Sequence, residues 1–154
     1  MEENNKTAKI SEERLRRYND KLEYLNQSFN YLNDWTKNVG LKDFIEDLDI
    51  QKKYGIYHAF QITIEIITDI TAMIVKDLKV IPKDDYSNFE ILKKNKVIKS
   101  YLAVKISEAN GLRNRIVHDY NGLNEDIAYT NLLKLIKDLK LFEAEVKIWL
   151  KINC

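Results

Sequence analysis

One short stretch of the chain carries most of the side chains that could do chemistry. Residues 111–122 read G-L-R-N-R-I-V-H-D-Y-N-G and include one of only two histidines in the chain. A guanidinium binds phosphate and an imidazole titrates near neutral pH, so together they form a minimal set for cleaving a phosphodiester. The side chains with this capacity are Arg113, Asn114, Arg115, His118, Asp119 and Tyr120.

The glycines at both ends of the stretch indicate its place in the fold. Gly122 comes just before another helical pattern, so we expect the last turns of a helix that runs into a tight turn. On an unbroken helix Arg113 and His118 would point about 140° apart, whereas a helix that ends or tightens near His118 brings both into one cleft. His118 and Tyr120 converge only if the backbone turns there. Alternatively, Arg113 and Arg115 cap the helix while His118 fills a gap in the core.

Two acidic side chains on a largely apolar helix could pair with those arginines. Glu65 and Asp69 are one turn apart on the narrow polar face of a helix predicted from about Asp49 to Leu78. Carboxylates in such surroundings need partners, which Arg113 or Arg115 could supply. We therefore interpret both acids first as structural anchors of the stretch, and only second as catalytic groups.

His58 shares that polar face, which raises the alternative of a metal site. It lies two helical turns before Glu65, too far for a compact ligand set. The chain also contains no Walker A loop, no dinucleotide-binding glycine motif, no zinc spacing and no nucleophile elbow. We therefore expect a site with neither metal nor cofactor.

The composition is that of one helical domain. The chain of 154 residues has one proline and four glycines, too few for a multistranded sheet with many turns. Its 25 basic and 24 acidic residues create no global field, so any RNA contact must come from a local patch. The lysines from Lys93 to Lys105 form either such a patch or a solvated face. The lone Cys154 and a polar N-terminus without signal-peptide character predict a cytoplasmic protein.

Apolar periodicity predicts an all-α fold, an antiparallel bundle of four to five helices in a single domain, residues 1–154, with a core at about 12–150. One heptad seam starts at Leu15 behind a helix start at Ser11, and another runs from Ala128 to Trp149 behind a cap at Asn124. Most of the nine tyrosines share this helical spacing. We interpret them as bundle packing rather than as a surface that stacks RNA bases.

The middle of the chain contains the most apolar helix, predicted between positions 49 and 78. Its apolar residues cover most of the circumference, which indicates a central helix or one shared between subunits. Charged residues interrupt the run from Ile56 to Ile81, so we expect no membrane span. Pro82 closes this helix, a short helix covers Asn88–Lys94, and a longer one begins at Val97.

The central stretch also resembles a known motif. Arg113, four intervening residues, His118, one residue and Tyr120 match the R-x-x-x-x-H-x-Y motif of HepT-like toxins in the HEPN superfamily. Asn114 matches the residue that usually follows the arginine. The motif together with its flanks is what makes the resemblance specific.

Two further segments are similar to recurring segments of that family. They are Q-I-T-I-E-I-I-T-D-I at 61–70 and I-L-K-K-N-K-V-I at 91–98, and the similarity covers about residues 12–145. One departure is Tyr57-His58, where many relatives carry Glu-Arg.

The resemblance implies a HEPN-like bundle that forms a homodimer and acts on RNA as a metal-independent endoribonuclease toxin. It further implies a type VII-like HepT/MntA pair, in which an MntA-type nucleotidyltransferase antitoxin neutralises the toxin by AMPylation of the motif tyrosine, here Tyr120. In this assignment His118 is the acid or base, Arg113 stabilises the phosphorane, and Asn114 orients the turn or the phosphate. Arg115, Glu65 and Asp69 support them.

Two other functions remain open from the sequence. The protein could be a non-catalytic partner subunit of a minimal nucleotidyltransferase, which predicts tight binding of AMP or RNA without a cleavage product. It could also be a purely structural dimerisation bundle, which predicts that Arg113 and His118 are replaceable without a phenotype.

Overall fold

The structure, a computed structural model, describes residues 9–154. Six α-helices account for most of these residues, and no strand occurs among them. The buried hydrophobic side chains of the helices form one continuous core. The helices are α1 (Glu12–Thr36), α2 (Ile50–Asp77), α3 (Asp85–Lys94), α4 (Ser100–His118), α5 (Glu125–Leu139) and α6 (Leu141–Asn153).

Contacts between the long helices show their relative directions. Arg14, near the start of α1, forms a 3.0 Å ion pair with Asp77 at the end of α2. The Tyr101 hydroxyl, near the start of α4, donates a 2.8 Å hydrogen bond to Asp138 near the end of α5. Neighbouring helices in both pairs therefore run in opposite directions, and the predicted all-α antiparallel bundle is confirmed.

α2 is the central helix and contacts α1, α3 and α4. Its length and composition would suit a membrane span, but 50% of its most apolar 18-residue window is buried by the rest of the bundle. Such burial is typical of the core helix of a helical bundle. The fully buried side chains of α2 include Phe60, Ile64, Ile67, Ile70 and Ile74.

Side-chain caps fix the beginnings of three helices. Ser11 and Asn124 each accept a hydrogen bond from a backbone N–H of the first turn, at 3.1 and 3.2 Å, which confirms both predicted caps. α3 begins at Asp85 rather than at the predicted Asn88, because the Asp84 side chain accepts a hydrogen bond from the Ser87 N–H and caps the helix one turn earlier.

A lysine with a left-handed backbone conformation lies two residues after the end of α2, and another lies two residues after the end of α3. α2 ends at Asp77, and Lys79 has a φ of 64° before the chain reaches Pro82. After α3, Lys96 has a φ of 56°, so the next helix begins at Ser100 instead of Val97. Val97 is buried in this connection, and its apolar character therefore indicated core rather than helix.

The C-terminal seam is divided between two helices, which brings the total to six where four to five were predicted. α5 ends at Leu139 and α6 starts at Leu141. No local signal marks this break, because Lys140 is neither glycine nor proline and the apolar spacing continues across it. Buried residues on both sides maintain the seam, namely Leu132, Leu135, Leu139, Phe142, Val146 and Trp149.

Candidate active site

The end of α4 carries the stretch 111–122. α4 stays helical through His118, and Asp119 then leaves the helix with φ −136° and ψ 42°. A 3₁₀ turn follows at Tyr120–Gly122. The predicted helix end and tight turn are both present, although Gly111 lies inside α4 instead of marking one end of the stretch.

Arg113 is held by two polar groups on two helices, and a third group supports one of them. Its Nη2 donates to the Glu65 carboxylate of α2 at 2.7 Å, and its Nη1 donates to the Asn114 side-chain oxygen at 2.9 Å. The Gln61 amide donates to the same Glu65 oxygen at 3.0 Å. Glu65 therefore contacts Arg113 as the sequence predicted, and Asn114 orients the guanidinium. These bonds fix the direction of the guanidinium.

The environment of Glu65 favours its charged form. Burial alone would raise the pKa of this carboxyl, but the hydrogen bonds from Arg113 and Gln61, together with the charge of Arg113, lower it below its usual value. Glu65 is therefore a carboxylate at neutral pH. Its charge suits Glu65 to anchor Arg113. As a carboxylate it carries no proton that it could donate as a general acid.

Asp69 has a different partner from the one expected. Its carboxylate lies 3.2 Å from the Lys21 ammonium of α1, and neither Arg113 nor Arg115 contacts it. The expectation that an arginine of the stretch pairs with Asp69 is therefore wrong. Asp69 lies one turn beyond Glu65 on α2, where α1 rather than α4 supplies the nearest cation.

His118 is exposed at the end of α4. The alternative in which it fills a gap in the core is therefore wrong. Because α4 remains regular through His118, the helix directs Arg113 and His118 about 140° apart, and the tightening that would bring them together does not occur. Arg115, also exposed, is one turn before His118 and only about 60° away around the helix.

Tyr120 packs against two tyrosines of α2. Its ring centroid is 5.4 Å from that of Tyr54 and 6.0 Å from that of Tyr57, both in edge-to-face geometry. Burial and the neighbouring Tyr54 hydroxyl raise the pKa of Tyr120 to about 12. Helical spacing predicts bundle packing for most of the nine tyrosines, but only three of them are buried. The prediction is wrong for five exposed ones, namely Tyr24, Tyr31, Tyr54, Tyr86 and Tyr101. No local signal linked Tyr54 to Tyr120, because their contact depends on the antiparallel packing of α2 and α4.

A polar cleft lies between α4 and α5 and runs along α4 from Lys105 to Arg115. Its volume is about 500 Å³, and Lys105, Gly111, Arg115, Asn131 and Lys134 are among its lining residues. Within residues 9–154, no group of three or more histidine, cysteine, aspartate or glutamate side chains is arranged to hold a metal ion.

Comparison with known proteins decides the family. Residues 13–146 match the family described as Ribonuclease HepT-like. The chain belongs to this family. One candidate RNase of Archaeoglobus fulgidus is 32% identical to this HepT-like protein over 119 residues, 77% of the chain and 82% of the relative. A second candidate RNase of that organism is 32% identical over 135 residues, 88% of the chain and 92% of the relative.

Solved structures share the fold of this HepT-like protein. The tri-AMPylated Shewanella oneidensis HEPN toxin in complex with MNT antitoxin superposes with a TM-score of 0.76 at 23% identity, covering 85% of this chain and 96% of the toxin. The Bacillus subtilis protein YutE, described as cytosolic and of unknown function, superposes with a TM-score of 0.75 at 12% identity, covering 94% of each chain. The fold is therefore that of HEPN toxins.

Proposed function

We propose that this HepT-like protein is a metal-independent endoribonuclease and the toxin of a HepT/MntA-type toxin–antitoxin pair. The observation that carries the proposal is the exposed His118 at the end of α4, on the helix that also holds Arg113 against Glu65. Membership of a ribonuclease family supports this choice of substrate. The three supporting residues are Asn114, Arg115 and Glu65.

The chemistry needs a proton acceptor, a proton donor and a cation. In metal-free RNA cleavage the 2′-hydroxyl attacks the adjacent phosphorus, its proton leaves to a base, and an acid protonates the departing 5′ oxygen. His118 serves as the acid or base, since an imidazole can do either near neutral pH. Arg113 stabilises the negative charge that develops on the phosphorane.

One protomer supplies a single motif histidine, so we propose that the active form is a homodimer. A two-fold interface places like residues beside each other and so brings two His118 imidazoles into one cleft. The divergent directions of Arg113 and His118 on α4 favour such sharing, because the arginine of one protomer can serve the histidine of the other. Light scattering at several concentrations tests for the dimer.

Tyr120 is the proposed site of control by an MntA-type nucleotidyltransferase. AMP on this hydroxyl would add bulk and negative charge two residues after His118, where the RNA phosphate must lie. The AMPylated state of the Shewanella oneidensis HEPN toxin, and its complex with the MNT antitoxin, support this regulation by analogy. Tyr120→Phe should accept no AMP from the nucleotidyltransferase and should retain cleavage.

The decisive experiment compares the two histidines. Wild-type protein, His118→Ala and His58→Ala are incubated with single-stranded RNA in the presence of EDTA, and products are separated on a gel. We expect cleavage by the wild type and by His58→Ala, and a loss of about 10²- to 10⁴-fold in rate for His118→Ala. Because both histidines are exposed, the folds should be unchanged, which circular dichroism verifies.

Two results would overturn the nuclease proposal. Equal cleavage by the wild type and His118→Ala would mean that the activity comes from another group or another protein. Tight binding of AMP or RNA by the wild type without any product would identify a non-catalytic partner subunit of a nucleotidyltransferase instead.

A further inference from the structure

The polar cleft between α4 and α5 has cations on both walls. Lys105 and Arg115 project from α4, and Lys134 projects from α5. At about 500 Å³, the cleft has room for a phosphate and its attached sugar. Its lining is mostly polar, which suits a charged chain better than an apolar ligand.

The charges in this cleft are not all neutralised. Lys105 lies 3.4 Å from Glu108, whereas Asp138 keeps its charge, because the Tyr101 hydroxyl that donates to it is neutral. With three cations and two carboxylates in its lining, the cleft has a net charge of +1. Among residues 9–154, neither Arg115 nor Lys134 forms an ion pair. Two exposed cations on facing helices are therefore free to bind an anion.

Arg115 connects this cleft to the end of α4. It lines a second, smaller cleft of about 220 Å³ that continues past Asp119 to Gly122 and Asn124. On α4 it is one turn before His118 and about 60° from it, so the two exposed side chains share a face of the helix. His118 lines neither cleft. An anionic chain that lies between α4 and α5 and reaches Arg115 is one helical turn from His118.

We propose that the α4–α5 cleft binds the phosphate backbone of the RNA beside the bond that is cleaved, with Arg115 and Lys134 as the phosphate contacts. This inference rests on the proposed function. A guanidinium offers two parallel N–H groups to phosphate, and an ammonium supplies a point charge, so neither reads the base sequence. The cleft therefore contributes affinity and register, while cleavage depends on His118 and Arg113.

The test measures RNA binding separately from cleavage. His118→Ala serves as the uncleaving background, and Arg115→Gln or Lys134→Gln is added to it. Fluorescence anisotropy with labelled single-stranded RNAs of two unrelated sequences is recorded over a range of salt concentrations. Each substitution should weaken binding several-fold for both sequences and reduce the slope of log affinity against log salt by about 0.7.

Matched substitutions elsewhere control for net charge. Arg16 of α1 and Lys151 of α6 are exposed and form no ion pair within the described part of the chain. Arg16→Gln and Lys151→Gln, in the same background, should leave the salt slope unchanged. If they reduce it as much as Arg115→Gln does, the effect is general electrostatics and the inference is overturned.

The remaining outcomes distinguish this inference from the nuclease proposal. Unchanged RNA binding by Arg115→Gln and Lys134→Gln overturns the cleft assignment, even where the wild type cleaves RNA. A reduced salt slope without any cleavage by the wild type supports the cleft and overturns the nuclease proposal. Normal RNA binding with loss of the nucleotidyltransferase complex would make the cleft a protein interface, which also overturns the inference.

Discussion

The Glu65 carboxylate of α2 accepts a 2.7 Å hydrogen bond from Arg113 of α4. This ion pair joins the central helix of the bundle to the helix that ends in His118. The Gln61 amide and the Asn114 side chain complete the arrangement, so that the guanidinium is positioned from both helices. The position of Arg113 therefore depends on a residue that does not itself contact substrate in our proposal.

Glu65→Gln should reduce cleavage by misplacing Arg113. The substitution keeps the shape of the side chain and removes its charge, and a misplaced catalytic group can reduce a rate by up to about 100-fold. Single-turnover cleavage should show the loss in the rate of the chemical step rather than in RNA affinity. Asp69→Asn is the matched control, because Asp69 pairs with Lys21, and it should cleave at the wild-type rate. Equal rates for all three proteins would contradict a positioning role for Glu65.

The same ion pair predicts a pH dependence of stability. Arg113 and Gln61 lower the pKa of Glu65 in the folded protein against the effect of burial. The stabilisation should therefore be complete above the ordinary glutamate pKa of about 4.3 and disappear as the pH falls through the lower folded-state pKa. Because the Glu65 side chain is 43% exposed, the free energies of unfolding of the wild type and Glu65→Gln should differ by no more than about 1 kcal/mol at pH 7. Urea unfolding of the wild type and Glu65→Gln at pH 7 and pH 3 measures the difference in unfolding free energy. A difference that is larger at pH 3 than at pH 7 would contradict the prediction.

Tyr120 should titrate above free tyrosine. Burial and the Tyr54 hydroxyl raise the pKa of Tyr120 to about 12, so Tyr54→Phe should lower it towards the ordinary value of about 10. The raised pKa also means that its contribution to stability is present below about pH 10 and is lost as the pH rises through the folded-state value. NMR titration of the tyrosine ring carbons, assigned with Tyr120→Phe, follows the ionisation. Tyr101→Phe is the control, and an unchanged Tyr120 titration in Tyr54→Phe would contradict the prediction.

Gly55→Ala should stabilise the protein. Gly55 lies inside α2 without positive φ, and a Cβ atom built there meets no atom within 4 Å. Alanine in a helix interior is favoured over glycine by roughly 0.5–1 kcal/mol. Urea unfolding at a fixed protein concentration measures the gain. A loss of stability would mean that this position touches something beyond the protomer described here.

The general architecture followed from local signals. Heptad spacing, the low glycine and proline content and the caps at Ser11 and Asn124 are properties of neighbouring residues, and they predicted an antiparallel helical bundle. The break at Lys140 was not predictable in this way. The apolar spacing continues across it, and only tertiary packing separates α5 from α6.

Side-chain partners were predictable only in part. Glu65 and Asp69 are equivalent by helical periodicity, but packing directs one to Arg113 and the other to Lys21. Tyr54 had no signal that tied it to Tyr120, since the two are far apart in the chain. The motif predicts which residues carry the chemistry, whereas the direction of each side chain depended on how α1, α2 and α4 pack.

The hydrogen bonds of Arg113 order this side chain before any ligand binds. Two of its nitrogens are already engaged, and among residues 9–154 its buried Nε has no hydrogen-bond partner. A flexible arginine loses rotamer entropy when it grips a ligand, but here most of that freedom was given up during folding. An incoming phosphate would therefore meet a rigid, preorganised cation, and its affinity would not be reduced by the ordering of a long side chain.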